Sequence, residues 1–308
     1  MLHLAIVVTA EPEARLLLPA DTRAAWDLMP GPWRVDNRWL GEGEAWECSI
    51  LVETKQQAAE ALRIVRDRLA GRRVDINMVP SGKARRKRLL VADMESTIIE
   101  QECLDELADF VGKRLLIASI TERAMRGELD FEAAIKERVS LLKGLDAEVL
   151  DKLYKERVTL MPGAAALVAT MKKHGATCAL VSGGFSYFTL RVAQRLGFDI
   201  EQANTLIFDK GKIKGTVGEP ILGREAKRAA LERISAEKNI AAADTLAVGD
   251  GANDLDMIRV AGLGVAFRAK PKVREAAAEL SNGAVITHGD LTALLYLQGY
   301  RREEFAGL

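Results

Sequence analysis

Leu89-Leu90-Val91-Ala92-Asp93-Met94-Glu95-Ser96-Thr97 sets the reading of this chain: four apolar residues run into two carboxylates, two positions apart, and then into two hydroxyls. A short unbroken apolar run bounded by polar residues fits a strand covered on both faces, which is what a parallel sheet requires. Side chains two apart on an extended chain point to the same side, so Asp93 and Glu95 can face one ligand where the strand breaks into a loop. Either acid alone would read as an ordinary solvent-facing strand end.

The texture persists downstream. Cys178-Ala179-Leu180-Val181-Ser182, Thr245-Leu246-Ala247-Val248-Gly249-Asp250, Leu263-Gly264-Val265-Ala266-Phe267 and Ala284-Val285-Ile286-Thr287-His288 are similar runs separated by helix-like segments. That alternation predicts an α/β unit with helices on both faces of a parallel sheet, over about residues 89–308. The interval from about residue 100 to 161 is helix-rich and carries no strand. It is too long for a crossover and is expected to form a helical cap over the carboxyl edge of the sheet, where doubly wound proteins bind ligands.

Upstream, residues 1–80 read as strand, helix, strand, strand, helix, strand: Leu2–Val8, a helix within 14–28, Trp33–Leu40, Ala45–Val52, Gln56–Leu69 and Val74–Val79. That βαββαβ order is the pattern of a ferredoxin-like α+β domain. It resembles the ligand-binding modules called ACT domains through element order alone. Such a unit could bind an amino acid, mediate assembly into a homo-oligomer or merely fill space. Residues 81–88 contain Ser, Gly and the basic run Lys83-Ala84-Arg85-Arg86-Lys87-Arg88, read as a solvated linker. A nucleic-acid patch is the less favoured reading, because no aromatics interleave and the run has no helical face.

Lys plus Arg number 44, as do Asp plus Glu, so no global field draws the protein to nucleic acid or an anionic membrane. The N-terminal apolar stretch meets Glu11 and Glu13 too soon for a secretory signal, and no apolar run approaches the roughly 18 residues of a spanning helix. Cys48, Cys103 and Cys178 are far apart, which argues for reduced, buried thiols. A cytoplasmic protein is the simplest expectation.

Three strand ends carry chemistry-bearing residues. Besides Asp93 and Glu95 there are Ser182-Gly183-Gly184, a hydroxyl followed by unobstructed backbone amides, and Gly249-Asp250-Gly251-Ala252-Asn253-Asp254, an acidic glycine-rich turn. Lys227 lies one turn into a helix expected to start near Gly223. Alone, the acidic turn reads as a helix N-cap and Lys227 as part of a solvated face.

Together, Asp93, Ser182, Lys227 and Asp250 stand in the order and strand-end contexts of the four motifs of the haloacid dehalogenase superfamily, which the chain therefore resembles from about Arg88 to His288. Within the cap interval, Glu102 and an Arg138 that lies beyond Met125-Arg126-Gly127-Glu128-Leu129-Asp130-Phe131 resemble the phosphoserine phosphatase branch of that superfamily. The resemblance implies phosphomonoester hydrolysis through an aspartyl phosphate on Asp93, with Glu95 as general acid and base. It implies Mg2+ held by Asp93, the backbone carbonyl of Glu95 and Asp250. Ser182, Gly183 and Lys227 would hold the phosphoryl group, and Asn253 and Asp254 would orient Lys227 and the metal's waters.

Glu102 would receive the ammonium and Arg138 the carboxylate of O-phosphoserine, with Met125 and Phe131 as apolar walls. The implied activity is the last step of serine biosynthesis, the alternatives being phosphoryl transfer to an alcohol or a non-catalytic phosphoserine-binding sensor. The chain departs from the superfamily's usual Asp-x-Asp-x-Thr at Glu95, whose side chain is longer than Asp by one methylene, about 1.5 Å of bond.

Overall fold

In a computed structural model, all residues are described except Glu13, Arg15, Lys83, Ala84, Arg126, Gly127 and Leu308, together with the side chain of Met125. The chain begins with β1 (Leu2–Ala10), α1 (Pro19–Leu28), β2 (Arg34–Gly41), β3 (Ala45–Val52), α2 (Lys55–Arg68) and β4 (Val74–Pro80). Their sheet is antiparallel where pairs are formed and runs in the order β2-β3-β1-β4, the ferredoxin-like arrangement expected from the element order. One face, through Ile6, Val8, Trp46, Cys48 and Ile50, packs with Ala25, Ala61 and Val65 of the two helices. Thr54 caps α2, its hydroxyl accepting from the Gln57 amide at 3.2 Å.

The first helix is shorter than its pattern suggests. It starts at Pro19, because proline lacks the amide a helix interior needs and holds the preceding Leu18 extended.

After β5 (Leu89–Ala92) come α3 (Cys103–Phe110), α4 (Arg114–Met125), α5 (Phe131–Ser140) and α6 (Glu148–Glu156), all before the crossover helix α7 (Ala164–Lys173). Then follow β6 (Thr177–Phe185), α8 (Ser186–Leu196), β7 (Ile200–Asn204), β8 (Leu206–Asp209), β9 (Lys212–Val217) and α9 (Arg224–Glu237). The chain closes with β10 (Thr245–Gly249), α10 (Leu255–Val260), β11 (Leu263–Phe267), α11 (Pro271–Ala278), β12 (Gly283–Ile286) and α12 (Ala293–Leu297). The second sheet is parallel, ordered β12-β11-β10-β5-β6-β7. Its central strands are buried along their length, as their unbroken apolar runs require.

Two pieces of this half have no counterpart in the sequence reading. β7 is half-buried at the sheet edge, and its Ile-Glu-Gln-Ala-Asn lacks a period. The hairpin β8–β9 forms its own two-stranded ladder and joins the cap: the Gly144 amide donates to the Ile213 carbonyl, and Ile213 donates to Leu145, both at 2.8 Å.

The other face of the first sheet shares a core with the second half, where Ala5, Val7, Leu40 and Val79 cluster with Leu294, Leu295 and Tyr296. This contact corrects the solvated reading of the basic run. Arg85 and Lys87 are buried. Arg85 pairs with Glu47 at 2.6 Å and donates to the Leu297 carbonyl at 2.8 Å, while the Lys87 ammonium donates to the Ala243 carbonyl at 2.7 Å. A buried cation is tolerated because it is paired and hydrogen-bonded. All three cysteines are free and buried, and among the described residues no helix is long and apolar enough to cross a membrane.

Candidate active site

Because β10, β5 and β6 are neighbours running in one direction, their carboxyl ends bring Asp250, Asp93 and Ser182 side by side. The Asp93 amide donates to Val248 at 3.0 Å, tying the first loop to the neighbouring strand. The Met94 amide donates to Asp93 Oδ1 at 2.7 Å. From α9, the buried Lys227 ammonium lies 2.7 Å from Asp93 Oδ1 and 2.6 Å from Asp254 Oδ1. Asp254 Oδ2 also accepts from the Gly251 amide at 2.9 Å, and a Cβ on Gly249 would lie 2.2 Å from Asp254 Cγ, so only glycine fits there. Lys227 is thus oriented by Asp254, whereas Asn253 lines the pocket wall over Gly251.

Ser182 Oγ is buried and accepts from the Gly184 amide at 2.9 Å. Glu95 follows Asp93 but bonds toward the cap: its Oε1 accepts from the Cys103 amide at the start of α3, at 2.8 Å. Ser96, at φ 54, turns back so that its hydroxyl donates to Glu102 Oε1 at 2.7 Å. Thr97 Oγ1 is buried with no hydrogen-bond partner among the described residues.

These groups enclose a cavity of about 210 Å³, lined by Asp93, Glu95, Ser182, Gly183, Asp250 and Asn253 below and by Glu102, Phe131 and Arg138 above. Phe131 leans on the backbone of Gly183, where a Cβ would come within 3.2 Å of its ring. The Met125 side chain lies outside the described residues. Gly184 also lines the cavity, as do Asp105 and Lys270, which went unnoticed in the sequence. Lys270 follows the strand Leu263–Phe267 and precedes Pro271, so the strand-end logic that found Asp93 could have found it.

The electrostatics show one cation too few on the floor. Burial pushes the Asp93 carboxyl well up, Lys227 opposes it, and Asp254 and Asp250 add to the rise. Asp250 is pushed up to about 6 by burial first and by Asp254 next. For Lys227, burial works against the ammonium, but the Asp254 and Asp93 carboxylates outweigh it and raise its pKa. Glu95 rises to about 7, through burial and then Glu102. Burial also lowers Arg138, with the Glu95, Asp105 and Glu102 charges opposing.

Asp93, Asp250 and Asp254 each offer an oxygen within 4.8 Å of the others. Asp93 and Asp254 share the Lys227 ammonium, Lys270 and Lys227 only partly offset the rise at Asp250, and the donors are hard oxygens, so this chain's residues fit a divalent cation.

A profile of the family described as haloacid dehalogenase-like hydrolase matches residues 90–259. A phosphoserine phosphatase of Streptomyces coelicolor is 46% identical over 232 residues, which is 75% of this chain but 55% of that relative. Two solved structures are also similar. One, a phospho-aspartyl intermediate analogue of phosphoserine phosphatase, is 39% identical with TM-score 0.62, covering 68% of this chain and 98% of its own. The other, a probable phosphoserine phosphatase from Vibrio cholerae, is 30% identical with TM-score 0.74, covering 98% of this chain and 88% of its own. The match spans more than half of the 308 residues and contains Asp93, Ser182 and Asp250 at one sheet edge, with Lys227 reaching Asp93 from α9, so the chain belongs to the haloacid dehalogenase-like hydrolases.

Proposed function

We propose that this chain hydrolyses O-phospho-L-serine to serine and inorganic phosphate by way of an aspartyl phosphate on Asp93. The observation that carries the reading is the polarity of one cavity: the Asp93 carboxylate, backed by the buried Lys227 ammonium, and the Ser182 hydroxyl line its floor, and a carboxylate and a guanidinium line its roof. An amino-acid phosphomonoester has matching ends.

Catalysis of such a hydrolysis needs an aligned nucleophile, neutralised phosphoryl oxygens and a protonated leaving group. The Asp93 carboxylate attacks phosphorus as the bond to the serine oxygen breaks. Lys227, the Ser182 hydroxyl and the Gly183 amide hold the phosphoryl charge. Glu95, in its acid form, gives its proton to the leaving oxygen. It then takes one from the water that splits the phosphoaspartate, regenerating Asp93 and releasing phosphate. A carboxyl whose pKa lies near 7 suits both duties.

Asp93, Asp250 and the Glu95 carbonyl would hold Mg2+, with Asp254 beside them. The ion supplies charge neutralisation between two anions that otherwise repel. Glu102 takes the substrate ammonium, and Arg138 takes its carboxylate through the planar fork.

Phosphate release is measured with Mg2+ on phosphoserine, phosphothreonine, sugar phosphates and nucleotides. Phosphoserine is expected to be preferred, and Asp93→Asn to lose roughly 10³-fold or more in kcat. A preference for a non-amino-acid ester would sink the substrate assignment, and undiminished turnover by Asp93→Asn would sink the mechanism.

A further inference from the structure

β4 and β12 are edge strands of different sheets, and side chains join them in place of a backbone ladder. Asn77 pairs with the backbone of Val285 in both directions, at 2.9 and 2.8 Å. Two residues earlier, Asp75 is buried and its carboxylate accepts three successive amides from the loop after β12. The Thr287 amide donates to Oδ1 at 2.8 Å, and those of His288 and Gly289 donate to Oδ2 at 2.9 and 2.8 Å. Successive amides aimed at one point form an anion nest, filled here by a side chain of the N-terminal sheet.

The same loop continues onto the segment by which the chain returns from the cap. The Leu291 amide donates to the Pro162 carbonyl at 3.1 Å. Gly163 has φ +82, and a Cβ there would stand 2.6 Å from the Thr292 nitrogen and 2.9 Å from that of Leu291. Only glycine allows so close a seat. Arg268 adds a second tie, donating to the Gly289 carbonyl at 3.4 Å.

The return segment is in turn bound to the outgoing one. Met161 donates to Ile98 at 2.9 Å and Glu100 to Thr159 at 3.1 Å, while the Ile98 and Ile99 amides both donate to Met94, the residue after Asp93. A continuous set of hydrogen bonds therefore runs from Asp75, through residues 287–291, to the crossing of the two cap connections.

We propose that Asp75 is a positioning residue for the cap: by ordering residues 287–292 it fixes the return connection at Met161–Gly163, and so sets how readily the cap closes on the amino-acid end of the substrate. The substrate part of this rests on the phosphoserine reading, whereas the connection itself does not. Removing the carboxylate leaves three amides without an acceptor, and a loop in that state rearranges.

Asp75→Ala and Asp75→Asn are made in the full chain. In the second, whichever oxygen remains, an amide NH2 faces a backbone donor. KM for phosphoserine is expected to rise about 3- to 10-fold with kcat changed less than about twofold, the size of coupling seen for such remote residues. Hydrolysis of para-nitrophenyl phosphate, which has no ammonium or carboxylate for the cap to grip, stays as in wild type. The amides of Met161, Ala164 and Leu291 exchange faster with solvent, and formate, which fits the emptied nest of Asp75→Ala, moves exchange and KM back.

Equal losses on both esters with no formate rescue would overturn the proposal and leave Asp75 a purely structural residue. Unchanged exchange at those three amides would overturn it as well, and this arm decides even if the wild-type protein does not act on phosphoserine. Should Asp75→Ala fail to fold, the Asp75→Asn exchange and KM measurements carry the same decision.

Discussion

At the floor of the cavity, Asp93 is tied through the Lys227 ammonium behind it to Asp254, each at hydrogen-bond distance from the ammonium, and backbone amides fix both carboxylates. In the roof, Arg138 donates to the carbonyl of Ala134 in its own helix at 3.3 Å and forms no ion pair with a described residue, while exposed Glu102 is held by the Ser96 hydroxyl. A charge network satisfied by the protein can be built to a fixed geometry, as a nucleophile needs. Charges facing a cavity with little protein pairing are left for the substrate. The floor should therefore act on any phosphomonoester, and the roof should sort them.

Glu95 tests that division most severely, since it lies two residues after Asp93 but is hydrogen-bonded to the cap helix. Glu95→Gln keeps the size of the side chain and the acceptor for the Cys103 amide but has no proton to give. Turnover should fall about 10²- to 10⁴-fold, the usual worth of general acid–base help, on phosphoserine and para-nitrophenyl phosphate alike. Para-nitrophenolate leaves easily, so its loss is expected at the lower end. If only phosphoserine turnover fell, Glu95 would belong to the roof and the division would be drawn in the wrong place.

Arg138→Ala comes next. A hydrogen-bonded ion pair with a carboxylate contributes about 1.5 to 3 kcal/mol, so KM for phosphoserine should rise roughly 10- to 100-fold. Its kcat, and both constants for para-nitrophenyl phosphate, should change little. A comparable loss on both esters would show that Arg138 shapes the floor and does not read the amino acid.

How far the sequence disclosed this site follows from the same division. The floor was legible because buried parallel strands write continuous apolar runs, and the residue that ends each run points at the ligand. Asp93, Ser182 and Asp250 were found that way, and Lys227 through its place among them. Glu102 and Arg138 carry no such signal and came through resemblance. The burial of Arg85 and Lys87 was misread because their partners, Glu47, the backbone of α12 and Ala243, lie far away in sequence. The hairpin β8–β9 escaped because its strands are short and pair with each other against the cap, outside both larger sheets.

The approach of Gly184 to Glu95 was invisible for a related reason, and it supports the smallest of these effects. A Cβ at Gly184 would lie 2.7 Å from Glu95 Oε2 and 3.0 Å from its Cδ, closer than such atoms approach. Gly184→Ala must therefore push the Glu95 carboxylate aside, and because this is the end of a flexible side chain the displacement is small. Misplacing a catalytic group by about 1 Å can cost up to 10²-fold, so a loss near tenfold in kcat on both esters is expected here. Glu95→Asp draws the carboxylate back by about one bond, 1.5 Å, and leaves the space beside residue 184 free. In that background Gly184→Ala should cost less than about twofold, an interaction between neighbours that a double-mutant cycle reads directly. Fully additive losses would mean that Gly184 serves some other need, such as the amide it donates to Ser182 Oγ. Strong non-additivity would mean that the longer acid at 95 is accommodated in this chain by the missing side chain at 184, so the departure from Asp-x-Asp is compatible with a working general acid.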